Sequence, residues 1–325
     1  MKAGFLAAAA LLGLALPAAA QLPPPHFHHL ALNSADPDAA IAFYRKPFPS
    51  TTRTRWEGLP ALVSPTHVMI VFQKVRAAPP ADPEATAYWH FGWSVPDSRV
   101  SLETFRGQNL LVPFYTDDTG GFVGISSDTW PYPPGVPGRT KAQLAEAVAQ
   151  NLEPRRVGGN GYIFAPDHAI VEFTGNAPER FDHIHMWQDD PLCAQAWYKK
   201  HLQAAPRRGS APVNEDSCKV PRGADPSWPS LDSKGTYRSP TGGVSFDDVA
   251  MNWYMNQTDK PLAPTTGHLM DHVSLSVSDL DAWITKLKGE GVGFLRPPYR
   301  IGHTRAVMIE GPSHEAVELI ALLPQ

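Results

Sequence analysis

The segment HVSLSVSD at residues 272–279 decides the fold, because its pattern of a histidine, six residues and an aspartate occurs four times. The other copies are HLALNSAD at 29–36, HFGWSVPD at 90–97 and HIHMWQDD at 183–190. After each histidine, apolar residues mostly alternate with small or polar ones, which is the period of a half-buried strand. Each aspartate precedes a helical pattern and stands where a helix N-cap is expected. The sequence therefore predicts four units of strand, cap and helix.

The four copies are of two kinds. PDAAIAFY follows Asp36 and PLCAQAWY follows Asp190, and both place proline at the first helical position. The segments that follow Asp97 and Asp279 lack that proline. The order A, B, A, B is what a duplicated pair of modules gives.

The second and fourth copies also end alike, in strands that carry a glutamate. Glu172 lies six residues after Pro166 in APDHAIVEF, and Glu318 lies six residues after Pro312 in GPSHEAVEL. The corresponding positions of the first and third copies hold Val71 and Asn252, which are not strong metal ligands.

Taken together, these motifs resemble the vicinal oxygen chelate superfamily of glyoxalases, bleomycin-resistance proteins and extradiol dioxygenases. The resemblance covers about His26 to Leu323. It implies an α+β fold of four βαβββ modules, paired into two domains whose curved mixed sheets form cups. The expected domains are residues 21–178, with an insertion at about 117–159, and residues 179–325, with an insertion at about 205–243.

The resemblance also implies metal ligands that project into each cup from first and last strands. If neighbouring modules pair, the N-terminal site consists of His29, His90 and Glu172. The C-terminal site then consists of His183, His272 and Glu318. Two imidazoles and one carboxylate hold a divalent metal and leave positions open for substrate. Fe(II) is the first expectation, with Mn, Zn or Ni as alternatives. The glyoxalase branch usually has a fourth protein ligand, so Val71 and Asn252 favour a dioxygenase-like site.

Four further residues near these positions have a predicted orientation or role. Strand alternation sends His28 to the face opposite His29, and it lets His185 line the cup of His183 as a candidate catalytic residue. His303 and Tyr299 are candidates for proton transfer, because dioxygenase relatives place acid–base groups there. An exposed loop histidine and a packed tyrosine are the simpler alternatives. The side chains of Arg300 and Arg305 are either solvated or available to bind a substrate carboxylate.

Composition excludes several classes of protein. The chain has 325 residues, 42% of them hydrophobic and 18% charged, with 34 prolines, so a folded protein with loop-rich segments is expected. A net charge of −4 without long charge runs argues against nucleic acid as a partner. Residues 1–20, MKAGFLAAAALLGLALPAAA, have the pattern of a cleaved signal peptide, which predicts a secreted or periplasmic protein with no membrane association after cleavage. In an oxidising compartment Cys193 and Cys218 form either a disulfide or two separate thiols.

The first insertion is a candidate lid, with Trp130 and Tyr132 as substrate contacts or as anchors of the loop itself. The function expected from these features is a metal-dependent enzyme that acts on a small molecule with adjacent oxygens, most simply an extradiol-type dioxygenase. A glyoxalase-like isomerase or lyase and a non-catalytic binding protein are the alternatives. A homo-oligomer is compatible with the sequence.

Overall fold

The structure is a computed structural model that describes residues 22–80, 85–110, 115–116, 122–125, 139–140, 160–175, 177–207, 212–219, 240–256 and 261–321. The helices are α1 Pro37–Tyr44, α2 Ser98–Gly107, α3 Pro191–Leu202 and α4 Leu280–Gly289. The strands are β1 His26–Ser34, β2 Thr52–Trp56, β3 Leu59–Val63, β4 Met69–Lys74, β5 Tyr88–Ser94, β6 Tyr115–Thr116, β7 Phe122–Ile125, β8 Arg139–Thr140, β9 Asn160–Phe164, β10 Ile170–Thr174, β11 Arg180–Gln188, β12 Ala205–Pro206, β13 Thr241–Phe246, β14 Val249–Met255, β15 Met270–Val277, β16 Phe294–Ile301, β17 Thr304–Glu310 and β18 Ala316–Ala321.

Two large mixed sheets form the frame of the molecule. The first has eight strands in the order β16-β17-β18-β15-β1-β4-β3-β2, and the second has seven in the order β12-β13-β14-β11-β5-β10-β9. A small third sheet, β6-β7-β8, belongs to the first insertion. Each module contributes a first strand, a helix and later strands, and its first and last strands pair in parallel. The predicted α+β fold is confirmed.

The modules pair across the sheets in a different order from the expected one, first with fourth and second with third. The eight-stranded sheet joins the first module to the fourth, through antiparallel pairing of β1 with β15. The seven-stranded sheet joins the second module to the third, through β5 and β11. The expectation that the first module pairs with the second, and the third with the fourth, is therefore wrong, and the predicted boundary between residues 178 and 179 falls within the seven-stranded sheet. The reason is that each first strand has one edge left after pairing with its own last strand, and any other module can pair with that edge.

Aspartates begin the helices, as the repeat predicts. The carboxylates of Asp36, Asp97 and Asp279 accept hydrogen bonds from backbone N–H groups of the first turn. These N–H groups have no partner inside the helix, so each cap stabilises its helix by about 1 kcal/mol. Asp190 occupies the N-cap of α3 without a side-chain hydrogen bond, and Pro191 at the first position starts that helix.

Aromatic rings pack the two sheets together. Tyr44 of α1 contacts Phe72 of the eight-stranded sheet and both Phe91 and Trp93 of the seven-stranded sheet, at ring-centroid distances of 6.0, 6.1 and 6.0 Å. Trp93 also stacks on Phe48 at 4.3 Å. All these rings are buried. Full burial of one such side chain stabilises the fold by about 1.5–3 kcal/mol.

A buried carboxyl group also joins the sheets. Glu315, in the turn between β17 and β18, accepts hydrogen bonds at Oε1 from Gln188 Nε2 and Tyr198 Oη, each 2.8 Å long. Its Oε2 accepts another from the backbone N–H of Ser313 at 2.8 Å. These contacts connect the eight-stranded sheet to β11 and α3. Burial raises the pKa of Glu315 above its usual value.

The two cysteines form a disulfide, which the sequence left open. Cys193 of α3 bonds to Cys218, which follows a 3₁₀ turn at Glu215–Ser217 in the second insertion. Trp130 and Tyr132 lie outside the described residues. The whole predicted signal peptide and most of the candidate lid lie outside them as well. Among the described helices, none is both long and apolar enough to cross a membrane.

Two candidate metal centres

Site 1 is a cluster of four groups in the seven-stranded sheet: His90 of β5, Glu172 of β10, and His183 and His185 of β11. Glu172 Oε2 lies 2.9 Å from His90 Nε2 and 3.1 Å from His183 Nε2. It lies 3.4 Å from His185 Nδ1. One carboxylate oxygen therefore faces three ring nitrogens, at separations that are typical of atoms bound to the same metal ion.

A glycine makes room for this cluster. Gly92 of β5 pairs with His183 on one side and with Glu172 on the other. A Cβ at this position would lie 2.5 Å from His183 Nε2 and 2.9 Å from the carbonyl oxygen of Glu172. The ring of His183 therefore lies directly over the glycine, in space that any side chain would fill.

Electrostatic coupling within site 1 is strong because its groups are buried. Burial alone lowers the pKa of His183, but the charges of Glu172 and Asp182 raise it to about 10. Burial acts to raise the pKa of Glu172, yet the neighbouring histidines hold it well below its usual value. Burial lowers the pKa of both His90 and His185. The carboxylate is thus ionised, and two of the three imidazoles are neutral, as metal ligation requires.

Aromatic side chains line one side of site 1. Trp89, Trp187 and Tyr254 form a wall beside His185, whose ring lies 6.2 Å from Trp89 and 5.7 Å from Tyr254. Trp89 stacks on Trp187 at 4.2 Å. Burial raises the pKa of Tyr254 to about 12, so its hydroxyl stays protonated at neutral pH.

Site 2 is a cluster of three groups in the eight-stranded sheet: His29 of β1, His272 of β15 and Glu318 of β18. Glu318 Oε2 lies 3.7 Å from Nε2 of each histidine. All three residues are buried, and this oxygen has no hydrogen-bond partner among the described residues. Two atoms bonded to one ion at about 2.1 Å are at most about 4.2 Å apart, so the 3.7 Å separations fit a shared metal.

Neighbouring groups orient both imidazoles of site 2. His272 Nδ1 is hydrogen-bonded to Asp271 Oδ1 at 2.7 Å, and His29 Nδ1 to His28 Nδ1 at 2.8 Å. Each bond leaves Nε2 directed toward Glu318, which is the arrangement that supports a metal-bound histidine. Trp56 of β2 covers His29, at a ring distance of 4.6 Å.

The two histidines of site 2 have opposite pKa shifts. Burial lowers the pKa of His29 well below its usual value. Burial also acts to lower the pKa of His272, but the hydrogen bond to Asp271 and the charge of Glu318 raise it. Burial lowers the pKa of His28 to about 4, so this residue is neutral at neutral pH.

β-bulges explain how residues adjacent in sequence contact the same imidazole. The pairing of β1 with β15 is irregular at His28 and at Asp271, and the pairing of β5 with β11 is irregular at Trp89 and at Asp182. Each of these four residues directly precedes a site histidine. A bulge turns an extra residue out of the regular alternation. The expectation that His28 faces away from His29 is therefore wrong, because a bulge interrupts β1 between them.

Tyr299 and Glu57 complete the surroundings of site 2. The hydroxyl of Tyr299, on β16, donates a short hydrogen bond to Glu318 Oε1. Glu57, in the turn between β2 and β3, accepts from the backbone N–H of His303 and from Thr304 Oγ1, both at 2.7 Å. These bonds connect the hairpins at the two edges of the eight-stranded sheet, next to Tyr299 on one side and Trp56 on the other.

The structure contains all six predicted ligands in the two clusters but exchanges their partners. His183 belongs with His90 and Glu172, and His29 belongs with His272 and Glu318. The predicted sets are wrong because they assumed that the first module pairs with the second and the third with the fourth.

The other candidate residues differ in their placement. His185 joins site 1, as the alternation with His183 predicts. Tyr299 reaches site 2, whereas His303 is exposed, and no described hydrogen bond or ring contact joins its imidazole to that site. Arg300 donates to the carbonyl of His303, and Arg305 pairs with Asp281.

Sequence reasoning missed Asp182 and Asp271, which hold the outer nitrogens of His183 and His272. The dipeptide Asp-His at 182–183 and again at 271–272 was the available signal. Asn252 Oδ1 is buried without a hydrogen-bond partner, and its residue pairs with His185.

Comparison with known proteins agrees with this fold. Residues 180–319 match the family model described as Glyoxalase/Bleomycin resistance protein/Dioxygenase superfamily. This match confirms the resemblance seen in the sequence for that part of the chain.

Solved structures share the fold along most of their length. Glyoxalase I from Zea mays is similar with a TM-score of 0.58 and 13% identity, over 91% of this chain and 92% of that one. A putative dioxygenase from Bacillus subtilis subsp. subtilis str. 168 is similar with a TM-score of 0.55 and 9% identity, over 94% and 87%. At these identities the likeness establishes the fold alone. No curated protein sequence matches this chain.

Proposed function

We propose that this chain is a metal-dependent enzyme for small molecules with adjacent oxygen atoms, and that site 2 is its catalytic centre. The observation that carries the proposal is Glu318 Oε2, which is buried, accepts no hydrogen bond from the residues that the structure describes and lies 3.7 Å from two imidazole nitrogens. Desolvating a carboxylate oxygen without a partner is costly. A divalent cation shared with His29 and His272 removes that cost.

Ring-opening dioxygenation of a catechol-like compound is the chemistry that fits site 2 best. When bound, Fe(II), or alternatively Mn, Zn or Ni, supplies open coordination positions and Lewis acidity, and Fe(II) or Mn(II) also supplies redox chemistry. Two imidazoles and one carboxylate are the ligand set of non-haem iron oxygenases. Both atoms of O₂ enter the ring-opened product, so no further reductant is needed.

The residues around site 2 have distinct tasks in this reaction. His29 is neutral because burial lowers its pKa, so its Nε2 lone pair is available as a ligand. Asp271 holds the Nδ1 proton of His272 and thereby directs Nε2 inward. Burial and the charge of Glu318 raise the pKa of Tyr299, so its hydroxyl remains a donor at neutral pH. It can hold or deliver a proton at a substrate oxygen.

The walls of site 2 exclude water from the reacting atoms. Trp56 covers His29, and Glu57 joins the two edge hairpins. Excluding water strengthens the electrostatic interactions inside the site and limits side reactions.

Isomerase or lyase chemistry at site 1 is the second candidate. The observation that favours it is the fourth group, His185, because glyoxalase-like members usually have four protein ligands. His185 lies two residues after His183 on β11, the first strand of its module. The repeat in the sequence predicted a fourth ligand only on the last strand of a module. The aromatic wall of Trp89, Trp187 and Tyr254 suits a flat apolar substrate.

We also propose that the chain acts outside the cytoplasm, in the periplasm or the medium. The support is the signal-like pattern of residues 1–20 together with the Cys193–Cys218 disulfide, which fits an oxidising compartment. N-terminal sequencing of the exported protein tests this proposal, with Gln21 as the expected first residue.

Metal analysis combined with oxygen consumption tests the catalytic proposal. The full chain should bind two divalent ions, and Glu318→Gln and Glu172→Gln should each remove one. His29→Ala should remove the same ion as Glu318→Gln, so the double variant should lose no more than either alone. Oxygen uptake with catechol should disappear in Glu318→Gln and persist in Glu172→Gln.

Three other outcomes would overturn the assignment. Oxygen uptake that needs Glu172 but not Glu318 would transfer catalysis to site 1. Conversion of a 2-oxoaldehyde hemithioacetal without oxygen uptake would favour the isomerase. Saturable binding of an aromatic ligand by a protein that takes up no metal would indicate a binding protein.

A further inference from the structure

One row of side chains runs across the eight-stranded sheet through site 2. Arg296 of β16 pairs with Met308 of β17, which pairs with Glu318 of β18. Glu318 pairs with Ser274 of β15, which pairs with His29 of β1. Directly opposed residues of neighbouring strands project from the same face of a sheet. The guanidinium of Arg296 therefore shares the face of the site, two strands from the carboxylate.

Arg296 has no carboxylate partner within the described part of the chain. Among the described residues, none of the ion pairs involves Arg296. Its guanidinium lies over the ring of Tyr299, 3.0 Å from the ring centroid. Tyr299 in turn donates to Glu318. The neighbouring arginines differ, because Arg305 pairs with Asp281 and Arg300 donates to a backbone carbonyl.

Tyr299 and an apolar residue separate the two charged groups. Met308 is buried and stands between Arg296 and Glu318 in the row. Neighbouring strands are about 4.8 Å apart, so the Cα atoms of Arg296 and Glu318 are roughly 10 Å apart. Their charged groups are closer, about one aromatic ring apart, because the guanidinium lies over the ring of Tyr299 and the hydroxyl of that ring reaches Glu318. A substrate with a single small ring is therefore long enough for its far end to meet the guanidinium.

We propose that the substrate of site 2 is an organic anion with adjacent oxygens at one end, a small apolar ring in the middle and a carboxylate at the other end that Arg296 binds. This inference rests on the proposed function, because it assumes that site 2 takes the oxygen pair. A guanidinium binds a carboxylate through two parallel hydrogen bonds, which lysine cannot reproduce. Arg296 therefore sets the specificity.

Calorimetric binding to the Zn-loaded full chain tests the proposal without requiring turnover. The probes are catechol and 3,4-dihydroxybenzoate, which differ by one carboxylate. The unaltered protein should bind the carboxylated probe at least about 10-fold more tightly, as expected for a charge-assisted contact of about 1.5–3 kcal/mol. Arg296→Gln should abolish this preference and leave catechol affinity unchanged, and Arg296→Lys should retain part of it. Arg300→Gln is the matched control and should keep the full preference.

Equal affinities for the two probes, or a preference that survives Arg296→Gln, would overturn the inference alone, provided that catechol binding still requires Glu318. If Glu318→Gln leaves the binding of both probes unchanged, site 2 does not take the oxygen pair. In that case the proposed function fails together with the inference. Circular dichroism and metal content of each variant confirm that folding and loading are intact.

Discussion

Gly92→Ala should remove one metal ion and leave the other. The new Cβ would lie 2.5 Å from His183 Nε2, whereas carbon atoms prefer separations of about 3.5–4.0 Å. The imidazole must therefore retreat by about 1 Å. Metal–ligand distances tolerate deviations of only about 0.2 Å, so His183 would cease to be a ligand of site 1. Site 2 lies in the other sheet, so it should keep its ion.

The expected magnitude follows from the loss of one ligand. Mutation of an outer partner of a ligand costs about 10–100-fold in metal affinity, and loss of the ligand itself should cost at least as much. That corresponds to about 1.4–2.8 kcal/mol or more. After dialysis against a chelator of matched strength, mass spectrometry of the metal content should give one ion per chain for the variant and two for the unaltered protein.

Ser274→Ala is the matched control, because Ser274 is the counterpart of Gly92 in the eight-stranded sheet. It lies between His29 and Glu318, as Gly92 lies between His183 and Glu172. Removing its hydroxyl introduces no overlap, so both ions should remain. Two equally tight ions in a folded Gly92→Ala protein would refute the assignment of His183 to site 1.

Three further predictions concern an outer partner, the disulfide and a buried carboxyl group. Asp271→Asn should weaken metal binding at site 2 by about 10–100-fold without changing site 1, as measured by competition with a chelator. Replacing Cys193 and Cys218 by serine should lower the free energy of unfolding by about 3.5 kcal/mol, since the bridge closes a 25-residue separation; denaturant titration measures this loss. The raised pKa of Glu315 means that the folded state binds its proton more tightly, so this contribution to stability is full below the usual pKa of 4.5 and is lost as pH rises through the folded pKa. Glu315→Gln should remove that part of the pH dependence, and a variant with the unaltered slope would contradict this reasoning.

Much of the fold was predictable because local signals repeat. The alternation after His272 and its three counterparts predicts strands, and the aspartates predict helix starts. Three of those aspartates do cap their helices through the side chain. All six ligand candidates could be identified from the same repeat. The histidines begin its copies, and the two glutamates lie at the same offset after a proline.

The pairing of modules could not be predicted in the same way. The free edge of β1 offers only backbone N–H and C=O groups, which are the same on every strand. Which strand pairs with that edge depends on packing far away, such as that of Tyr44 between the sheets and of Glu315 against Tyr198. No pattern near His29 encodes those contacts.

The bulges were also beyond sequence reasoning. Regular alternation separates Asp271 from His272 and His28 from His29, yet both pairs are hydrogen-bonded. A bulge depends on two strands that disagree in length by one residue, so it is a property of the pair and not of either strand. The Asp-His dipeptides can be read from the sequence, but only the bulges bring each aspartate to the ring of the histidine that follows it.

The antiparallel pairing of β1 with β15 has a consequence for biosynthesis. Translation at about 5–20 residues per second places roughly ten to fifty seconds between the emergence of these two segments. Throughout that interval the apolar residues of β1 lack their final neighbour, and the ion at site 2 cannot be captured. A nascent or truncated polypeptide that ends before residue 270 should therefore remain dependent on chaperones, however completely its middle portion has folded.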